Sequence, residues 1–382
     1  MRTLLFLHIP KAGGTALWGV LSNRFAADRC LDTYYGRRPS DEELNTAGFV
    51  TGHVSMSVLD RFERAPLSVT VLREPIERAL SVYSFFRELD EPPLGWPGLE
   101  RYDAMLDLAK RHPLERFIEL APELAEHYLG NWQARALGAK RLDRAEERLE
   151  DALEGLGRCD FVGLAERQDE SVDRLTRLLG WAPLTPLPRV NVTPTRVREE
   201  EISDQAREAL RELTAVDRQL YDEAVRRFDQ GTAHAISPGI EDAALVSDLR
   251  FDRPMRGSGW LGRERIGNEP YVCWIGNGAQ ARVELASDPA AGSIEIEIPH
   301  VIDPAILETL RIRVGGRELA PSFAEAGGAV VASAPLGRRG RGRDRALQVE
   351  LSVDHATRPC DVDPQSGDNR ELAIAVRRVA LV

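Results

Sequence analysis

The sequence predicts a two-domain protein, an α/β domain built on a parallel sheet flanked by helices and then an all-β sandwich. Up to about residue 230, short apolar runs alternate with longer segments of helical period, as in α/β domains. From residue 229 to 248 the periodicity is lost and small residues and proline accumulate, which is typical of a linker. Short segments of alternating pattern follow, as in β-sandwiches. We therefore expect an α/β domain at 1–230, a linker at 231–248 and a sandwich at 249–382.

In the first domain, the clearest element is a helix at Pro75–Leu89, whose apolar residues recur at helical spacing and can bury one face. Short apolar runs predict strands at Thr3–His8, Leu67–Leu72 and Asp160–Gly163. The same periodicity predicts the remaining helices, the last of them in one or two pieces divided near Thr214: Gly14–Arg24, Leu114–Leu120, Pro122–Leu137, Gln168–Leu179 and Glu199–Phe228.

In the C-terminal region, alternating apolar and polar residues predict strands, because side chains of a strand point to opposite faces in turn. The predicted strands are Ala281–Leu285, Ser293–Ile298, Leu310–Val314, Leu347–Val353 and Leu372–Val382. An arginine-rich tract from Leu336 to Arg345 is expected to form an exposed loop.

The composition is that of a folded, soluble protein, with 43% hydrophobic and 29% charged residues. A net charge of −11 argues against a nucleic-acid-binding protein, which needs a basic surface. The four cysteines form no C-x-x-C pair, so they indicate neither a zinc site nor a disulfide framework. No run approaches the roughly 20 apolar residues of a membrane helix. We therefore expect a cytoplasmic protein without a metal or a membrane span.

The segment Thr3–Leu17 predicts an anion-binding loop. It places a strand, a turn with Lys11, Gly13 and Gly14, and then Thr15 at the start of an apolar helix. Glycines let backbone N–H groups approach an anion, and the helix N-terminus and lysine add positive charge. The loop is P-loop-like, but the usual order G-x-x-x-x-G-K-[ST] is reversed. The alternative interpretation is a plain strand-to-helix turn.

A second candidate anion site is Arg73, which follows the Leu67–Leu72 strand and precedes Pro75 in the first turn of a helix. Ligands of open α/β sheets collect at the carboxyl ends of strands, and an arginine there matches phosphate oxygens. Ser81, eight residues further on, adds a hydroxyl donor. Alternatively, Arg73 pairs with a carboxylate of the following helix and Ser81 is an ordinary helix residue.

The lysine that precedes the glycines resembles the 5′-phosphosulfate loop of sulfotransferases that use 3′-phosphoadenosine 5′-phosphosulfate (PAPS). The Arg73 and Ser81 pair is similar to the residues that bind the 3′-phosphate in that family. The resemblance implies PAPS as co-substrate, with Lys11 stabilising the leaving oxygen. The residues implied to hold the 5′-phosphate and sulfate are Lys11, Ala12, Gly13, Gly14, Thr15 and Ala16.

Between the two sites, the run Gly-His-Val at residues 52–54 resembles the uronyl and heparan sulfate 2-O-sulfotransferase branch, whose histidine is the catalytic base. The resemblance makes His53 the base, and imidazole suits this role because its pKa lies near 6.5. That branch carries another histidine where this chain has Thr51. If His53 is instead a buried structural histidine, a carboxylate such as Glu74 is the candidate base.

Four further residues resemble parts of this family or of glycan-modifying enzymes. Trp132 could stack on adenine or sugar, although a core position is the favoured interpretation. Asn191 is a candidate for a loop over the co-substrate. Trp260 and Trp274 could stack on sugars if exposed, but burial in a sandwich is favoured.

Together, these residues predict a PAPS-dependent sulfotransferase that acts on a hydroxyl-bearing acceptor, with glycans the leading class. A P-loop-type nucleotide kinase or NTPase is one alternative, although Arg73 stands where such an enzyme would place a magnesium-binding aspartate. A non-catalytic glycan-binding protein with a decayed nucleotide site is the other.

Overall fold

The computed structural model describes residues 2–34, 37–89, 99–140, 142, 144–184, 187, 196–231, 239–240, 242–276, 278–337 and 346–382. The loop expected around Asn191 and the arginines at 338–345 lie outside the described residues, as do residues 232–238 and 241 of the predicted linker.

The chain forms two compact units. The first comprises Met1–Gly14, Leu31–Leu178 and Val192–Ile240, and the second Thr15–Cys30, Leu179–Asn191 and Glu241–Val382. These units differ from the predicted contiguous domains, since two early segments group with the C-terminal residues. The assignment of functions to domains stays a prediction.

The first unit is built on a five-stranded sheet with the strand order β2-β3-β1-β4-β5. Its strands are β1 Leu4–Leu7, β2 Cys30–Asp32, β3 Phe49–Gly52, β4 Leu67–Leu72 and β5 Phe161–Leu164. Strand β1 runs parallel to β3 and β4, and β4 runs parallel to β5. Strands β1, β3 and β4 are buried along their whole length, as in a sheet covered on both faces, although only β1 is apolar throughout. The predicted α/β fold with a parallel sheet is confirmed.

The helices of the chain in the part up to residue 229 are α1 Gly14–Ser22, α2 Asp41–Thr46, α3 Pro75–Glu88, α4 Leu99–Arg111, α5 Leu114–Leu120, α6 Pro122–Tyr128, α7 Trp132–Leu137, α8 Ala145–Arg158, α9 Gln168–Leu179, α10 Asp204–Leu213 and α11 Ala215–Asp229. Helix α3 follows its predicted bounds to within one residue. Proline at its first position needs no hydrogen-bond partner, and the Glu74 carboxylate accepts from the N–H of Glu77 at 2.7 Å.

The predicted helix Pro122–Leu137 is in fact two helices, α6 and α7. Asn131 lies between them with φ of 41°, a left-handed conformation that ends a right-handed helix. The last predicted helix is also divided, with a boundary at Thr214 as expected. Strands β2 and β3 were not predicted, because Cys30–Asp32 has only three residues and the apolar run of Phe49–Gly52 is limited to its first two.

The second unit contains antiparallel sheets, as predicted from the alternating segments. Two five-stranded sheets have the orders β14-β15-β10-β18-β6 and β13-β12-β16-β9-β7, and a three-stranded sheet has the order β11-β17-β8. The strands are β6 Asp248–Arg250, β7 Gly257–Ser258, β8 Cys273–Gly276, β9 Gln280–Ala286, β10 Ser293–Ile298, β11 His300–Val301, β12 Arg311–Val314, β13 Arg317–Leu319, β14 Ser322–Ala326, β15 Ala329–Pro335, β16 Ala346–Ser352, β17 Leu372–Val376 and β18 Arg378–Leu381. Two short helices, α12 Ala305–Glu308 and α13 Pro359–Val362, interrupt them.

A single apolar core takes side chains from both five-stranded sheets, such as Ile296 of β10 and Val283 of β9, which are fully buried. Trp260 and Trp274 are 1% and 4% exposed, so the favoured interpretation of both as buried tryptophans is confirmed. Helix α1 belongs to this unit from Thr15 onward, and Asn23 beyond its end donates to the Leu261 carbonyl at 3.2 Å.

Among the residues that the structure describes, no helix combines the length and the apolar character that a membrane crossing requires.

Candidate active site

The candidate site lies at the carboxyl edge of the parallel sheet, where three neighbouring strands end. His8 follows β1, His53 follows β3 and Arg73 follows β4. The register aligns β1 with both neighbours, so these strands reach the same edge. This edge is where open α/β sheets bind ligands.

The loop at residues 11–14 has an unusual backbone. Lys11 has φ of 63° and Gly13 has φ of 77°, while Ala12 between them has negative φ. Such alternation turns successive N–H groups toward one side and forms an anion-binding concavity. A lysine in this conformation costs free energy, and backbone strain of this kind concentrates at functional sites. The Gln168 amide holds the loop by donating to the Gly13 carbonyl at 3.3 Å.

The side chain of Arg73 joins the two predicted anion sites. Its Nη1 donates to the main-chain carbonyl of Lys11 at 3.0 Å. Its own peptide is fixed by Gln133, whose side-chain amide accepts from the Arg73 N–H at 2.9 Å and donates to the Arg73 carbonyl at 2.8 Å. The loop and the strand end, 62 residues apart in sequence, therefore lie in direct contact.

Three cations gather at this place. Burial, and next the Arg73 charge, lower the pKa of Lys11 to about 8, while Arg196 acts in the same direction. Burial, and next Arg73, also lower the pKa of Arg196. Glu77 is the shared counter-ion, since it pairs with Arg196 and lies 3.5 Å from Nη2 of Arg73. The Nε atom of Arg196 is buried and has no hydrogen-bond partner among the described residues. A cluster of cationic side chains of this kind suits a phosphate group.

Ser81 lies on α3 midway between Glu77 and Phe85, at the four-residue spacing that places side chains on one helix face. Both neighbours contact the cation cluster, because Nζ of Lys11 lies 4.4 Å from the centre of the Phe85 ring. Ser81 is buried at 6% exposure. The predicted residues Thr15 and Ala16 form the first turn of α1, and Ala12 and Gly14 are buried in the loop.

His53 stands among three aromatic side chains. Its ring centre is 4.7 Å from that of Tyr34, 5.4 Å from that of His8 and 6.1 Å from that of Trp132. One side of the ring remains open to solvent, but the neighbouring side chains restrict its hydration and lower the pKa of His53 to about 4. The imidazole is therefore neutral near pH 7 and can accept a proton.

His53 opens into a cavity of about 1080 Å³. Trp132 lines this cavity while it also packs against the core of the first unit, so its favoured interpretation as a core residue has support and its stacking on a ligand stays a prediction. The lining residues carry four arginine or lysine side chains and a single carboxylate: Arg38, His53, Val54, Ser55, Ser57, His127, Trp132, Ala134, Arg135, Ala136, Gly138, Ala139, Lys140, Leu142, Arg148 and Asp151. In a chain of net charge −11, this local excess of cations is notable.

Glu74, the alternative base, is engaged elsewhere. One carboxylate oxygen caps α3 and the other pairs with Arg218. Its peptide N–H donates to Glu166 at 2.9 Å, and Tyr221 donates to the second Glu166 oxygen at 2.7 Å. These bonds give Glu74 a role in holding the start of α3, which favours His53 as the base.

Sequence reasoning left the roles of Asn131 and Gln133 open. The Asn131 side chain accepts from the N–H groups of Val216 and Asp217, both at 3.0 Å. The Asp217 carboxylate in turn accepts from the N–H of Gln133 at 3.1 Å. This exchange caps two helices and presents Gln133 to Arg73. The sequence can indicate that asparagine and aspartate near the start of a helix act as caps. It does not indicate that Asn131 and Asp217 pair across 86 residues.

His8 and Tyr34 were also missed. The Tyr34 hydroxyl forms a hydrogen bond with Nδ1 of His8. A Cβ atom on Gly14 would lie 2.4 Å from Cδ2 of His8, so only glycine lets the loop approach this ring. In the sequence, the lysine and glycines of the segment His8–Gly14 form a recognisable motif, but no pattern marked His8 as a functional residue.

These observations fit a ligand with phosphate groups. The alternating backbone at Lys11 and Gly13, the glycine that packs on His8 and the buried, unpartnered Nε of Arg196 together make an anion cradle. Within the described ranges, no group of three or more histidine, cysteine or acidic side chains is placed to hold a metal ion.

The model of the Sulfotransferase family matches residues 2–230, which is more than half of the chain. The chain therefore belongs to the sulfotransferase family, as the reversed phosphate loop predicted. It is a PAPS-dependent sulfotransferase with PAPS as its co-substrate. The alternative of a nucleotide kinase loses support from this membership.

Two solved structures show weak similarity. Mouse sulfotransferase SULT7A1 complexed with PAP is 14% identical with a TM-score of 0.27, and the match covers 61% of this chain and 90% of that one. The GH115 4-O-methyl-α-glucuronidase BtGH115A is 11% identical with a TM-score of 0.20, over 74% of this chain and 39% of that one. At these TM-scores neither likeness informs the function of this chain. No curated protein matches the chain significantly.

Proposed function

We propose that the enzyme transfers the sulfuryl group of PAPS to a hydroxyl group of a carbohydrate, with His53 as the base. The observation that carries this proposal is the contact of Arg73 with the loop at Lys11, beside a neutral histidine that opens into a cavity. The two proposed anion-binding elements and the proposed base thus lie at one edge of the sheet.

The residues divide between the two ends of the co-substrate. The loop from Lys11 to Ala16 would hold the 5′-phosphate and sulfate through its N–H groups and the Lys11 ammonium. Arg73 and Ser81 would hold the 3′-phosphate. Arg196 is a further candidate for a phosphate contact, because its guanidinium lies in the same cation cluster and keeps an unpartnered Nε.

PAPS supplies an activated sulfuryl group. His53 accepts the proton of the acceptor hydroxyl, whose oxygen forms the new bond to sulfur as the bond from sulfur to the bridging oxygen breaks. Lys11 meets the negative charge that develops on that bridging oxygen. The arginines bind a remote part of the co-substrate, so that binding energy aligns the reacting atoms.

The cavity next to His53 supports an acidic carbohydrate as acceptor. Its volume of about 1080 Å³ suits several sugar units rather than a small alcohol. Trp132 offers a ring for stacking, and Arg38 and Lys140 offer charge. Arg135 and Arg148 are partly neutralised, because both lie within 4 Å of Glu126. The proposed hydroxyl acceptor therefore carries carboxylate or sulfate groups.

For the second unit we propose an accessory β-sandwich. The shared core of its two five-stranded sheets supports the sandwich, and the burial of Trp260 and Trp274 argues against sugar stacking at those residues.

Calorimetric titration tests the co-substrate site. We expect 3′-phosphoadenosine 5′-phosphate (PAP) to bind more tightly than ATP with magnesium. Arg73→Ala should weaken PAP binding by about ten- to a hundred-fold, since a hydrogen bond to a charged group contributes about 1.5–3 kcal/mol. Arg211→Ala is the matched control, because Arg211 lies on the exposed side of α10. Tighter binding of ATP with magnesium would refute the assignment.

Transfer of labelled sulfate tests the base and the acceptor. His53→Ala should lower turnover by about 10²–10⁴-fold and leave PAP binding unchanged, as loss of a general base does. His355→Ala, on an exposed side chain of the second unit, is the control. Uronate-bearing or sulfated polysaccharides should be better acceptors than neutral polysaccharides, phenols or lipids. Equal transfer to neutral polysaccharides would overturn the acidic acceptor.

A further inference from the structure

His8 is a buried histidine that the proposed reaction does not use. Its ring stacks on Phe6 with the centres 5.6 Å apart, and its Nδ1 bonds to the Tyr34 hydroxyl. The opposite edge of the ring faces the phosphate loop. A Cβ atom on Gly14 would lie 2.8 Å from Nε2, so this nitrogen borders the first helical residue of the loop.

The tautomer of His8 is linked to the direction of its hydrogen bond with Tyr34, because the hydroxyl group either donates to Nδ1 or accepts from Nδ1–H. Burial, and next the charges of His53 and Lys11, lower the pKa of His8 to about 3, so the ring is neutral near pH 7. A neutral imidazole has one donor and one acceptor nitrogen. When the Tyr34 hydroxyl donates to Nδ1, the proton is on Nε2, and no described residue accepts a hydrogen bond from it.

An anion in the loop would select this tautomer. A bare Nε2 would direct its lone pair toward the anion, whereas Nε2–H directs a donor toward it. The ring of His8 is neutral in this tautomer. Its neutrality favours the reaction, because His53 becomes a cation when it accepts a proton. A second cation with its ring centre 5.4 Å away would oppose that step.

We propose that Tyr34 holds His8 with its proton on Nε2, and that His8 donates a hydrogen bond from Nε2 to an oxygen of the transferred sulfuryl group. This proposal rests on the function proposed above. His8 is then a further catalytic residue, and Tyr34 is a positioning residue that acts through it.

Two substitutions of His8 distinguish the role of Nε2 from that of Nδ1. The amide nitrogen of glutamine reaches the position of Nε2, whereas that of asparagine reaches only the position of Nδ1. We expect His8→Asn to lower kcat by about 10²-fold, the loss typical of one oxyanion donor. His8→Gln should keep kcat within about tenfold of the wild type. PAP lacks the sulfuryl group, so both variants should bind PAP as tightly as the wild type.

Tyr34→Phe provides the second test, because it removes only a hydroxyl group and keeps the ring beside His53. Nitrogen-15 NMR of the labelled protein should show the His8 proton on Nε2 in the wild type and a mixture of tautomers in Tyr34→Phe. The kcat of this variant should fall about tenfold or more, with unchanged affinity for PAP. If the His8 variants do not fold, this variant and the wild-type spectrum decide the question.

Three results would overturn the inference: a His8 proton on Nδ1 in the wild type, equal kcat for the asparagine and glutamine variants, or full activity of Tyr34→Phe. A wild-type enzyme that binds no PAP would instead refute the proposed function, while the tautomer of His8 could still be read from the spectrum.

Discussion

Replacement of Gly14 by alanine tests the close contact between the phosphate loop and β1. The added Cβ would lie 2.4 Å from Cδ2 of His8 and 3.0 Å from Cζ of Phe6, where ordinary contacts begin near 3.4 Å. Both rings are buried at the sheet edge, so His8 must move by about 1 Å. Overpacking of this kind costs about 1–3 kcal/mol.

The higher helix propensity of alanine partly offsets this loss of stability. Alanine is favoured over glycine by at most about 1 kcal/mol within a helix, and Gly14 is the first residue of α1. We therefore expect Gly14→Ala to lower the free energy of unfolding by about 1–2 kcal/mol, which corresponds to a Tm lower by a few degrees. The displacement of His8 should also lower kcat by about 10²-fold, as a 1 Å misplacement can.

Thermal denaturation and initial rates of sulfate transfer measure the two effects. The matched control is Gly157→Ala on α8, where the new Cβ would meet nothing closer than the Arg227 guanidinium at 3.8 Å. This control should raise stability by up to about 1 kcal/mol. The reasoning fails if Gly14→Ala has the Tm and the turnover of the wild type.

Three further results are expected. Gly155→Ala should lower the midpoint of urea denaturation, because its Cβ would lie 1.8 Å from the Leu137 carbonyl oxygen, whereas Gly157→Ala in the same helix should not. An unchanged midpoint for Gly155→Ala would contradict the packing of α7 on α8. The acid limb of kcat/KM should have its midpoint near pH 4 rather than 6.5, because a protonated His53 cannot act as the base; a midpoint near 6.5 would exclude its lowered pKa. The free energy of unfolding should decrease as the pH falls from 6.5 toward 3, because His8 takes up a proton more readily in the unfolded chain than in the folded protein. His8→Gln should make this decrease smaller. The same pH dependence in the wild type and the variant would assign the decrease to other groups.

Local patterns in the sequence were sufficient for several elements. The bounds of the Leu67–Leu72 strand and of the helices Leu114–Leu120 and Gln168–Leu179 agree with the structure. The order of lysine and glycines in the loop, together with the spacing of Arg73 and Ser81, carried the resemblance to the family. In each case the signal lies within one short segment, because hydrophobic period and turn chemistry act between near neighbours.

Tertiary structure decided the rest. The division between α6 and α7 depends on Asn131, which is held in a left-handed conformation while its side chain caps a helix 85 residues away. Strand β3 is recognisable only through its pairing with β1. Thr15–Cys30 packs with the C-terminal unit, which no local pattern indicates.

The candidate site divides in the same way. The sequence by itself determined the residue types at Lys11, His53 and Arg73, because each follows an apolar run that reads as a strand or lies in a recognisable motif. Only the fold brought His8 and Tyr34 to His53, since their contacts join residues separated by 19 to 45 positions along the chain. Contacts across such separations depend on how strands are ordered in the sheet, and strand order is a property of the whole chain rather than of any segment.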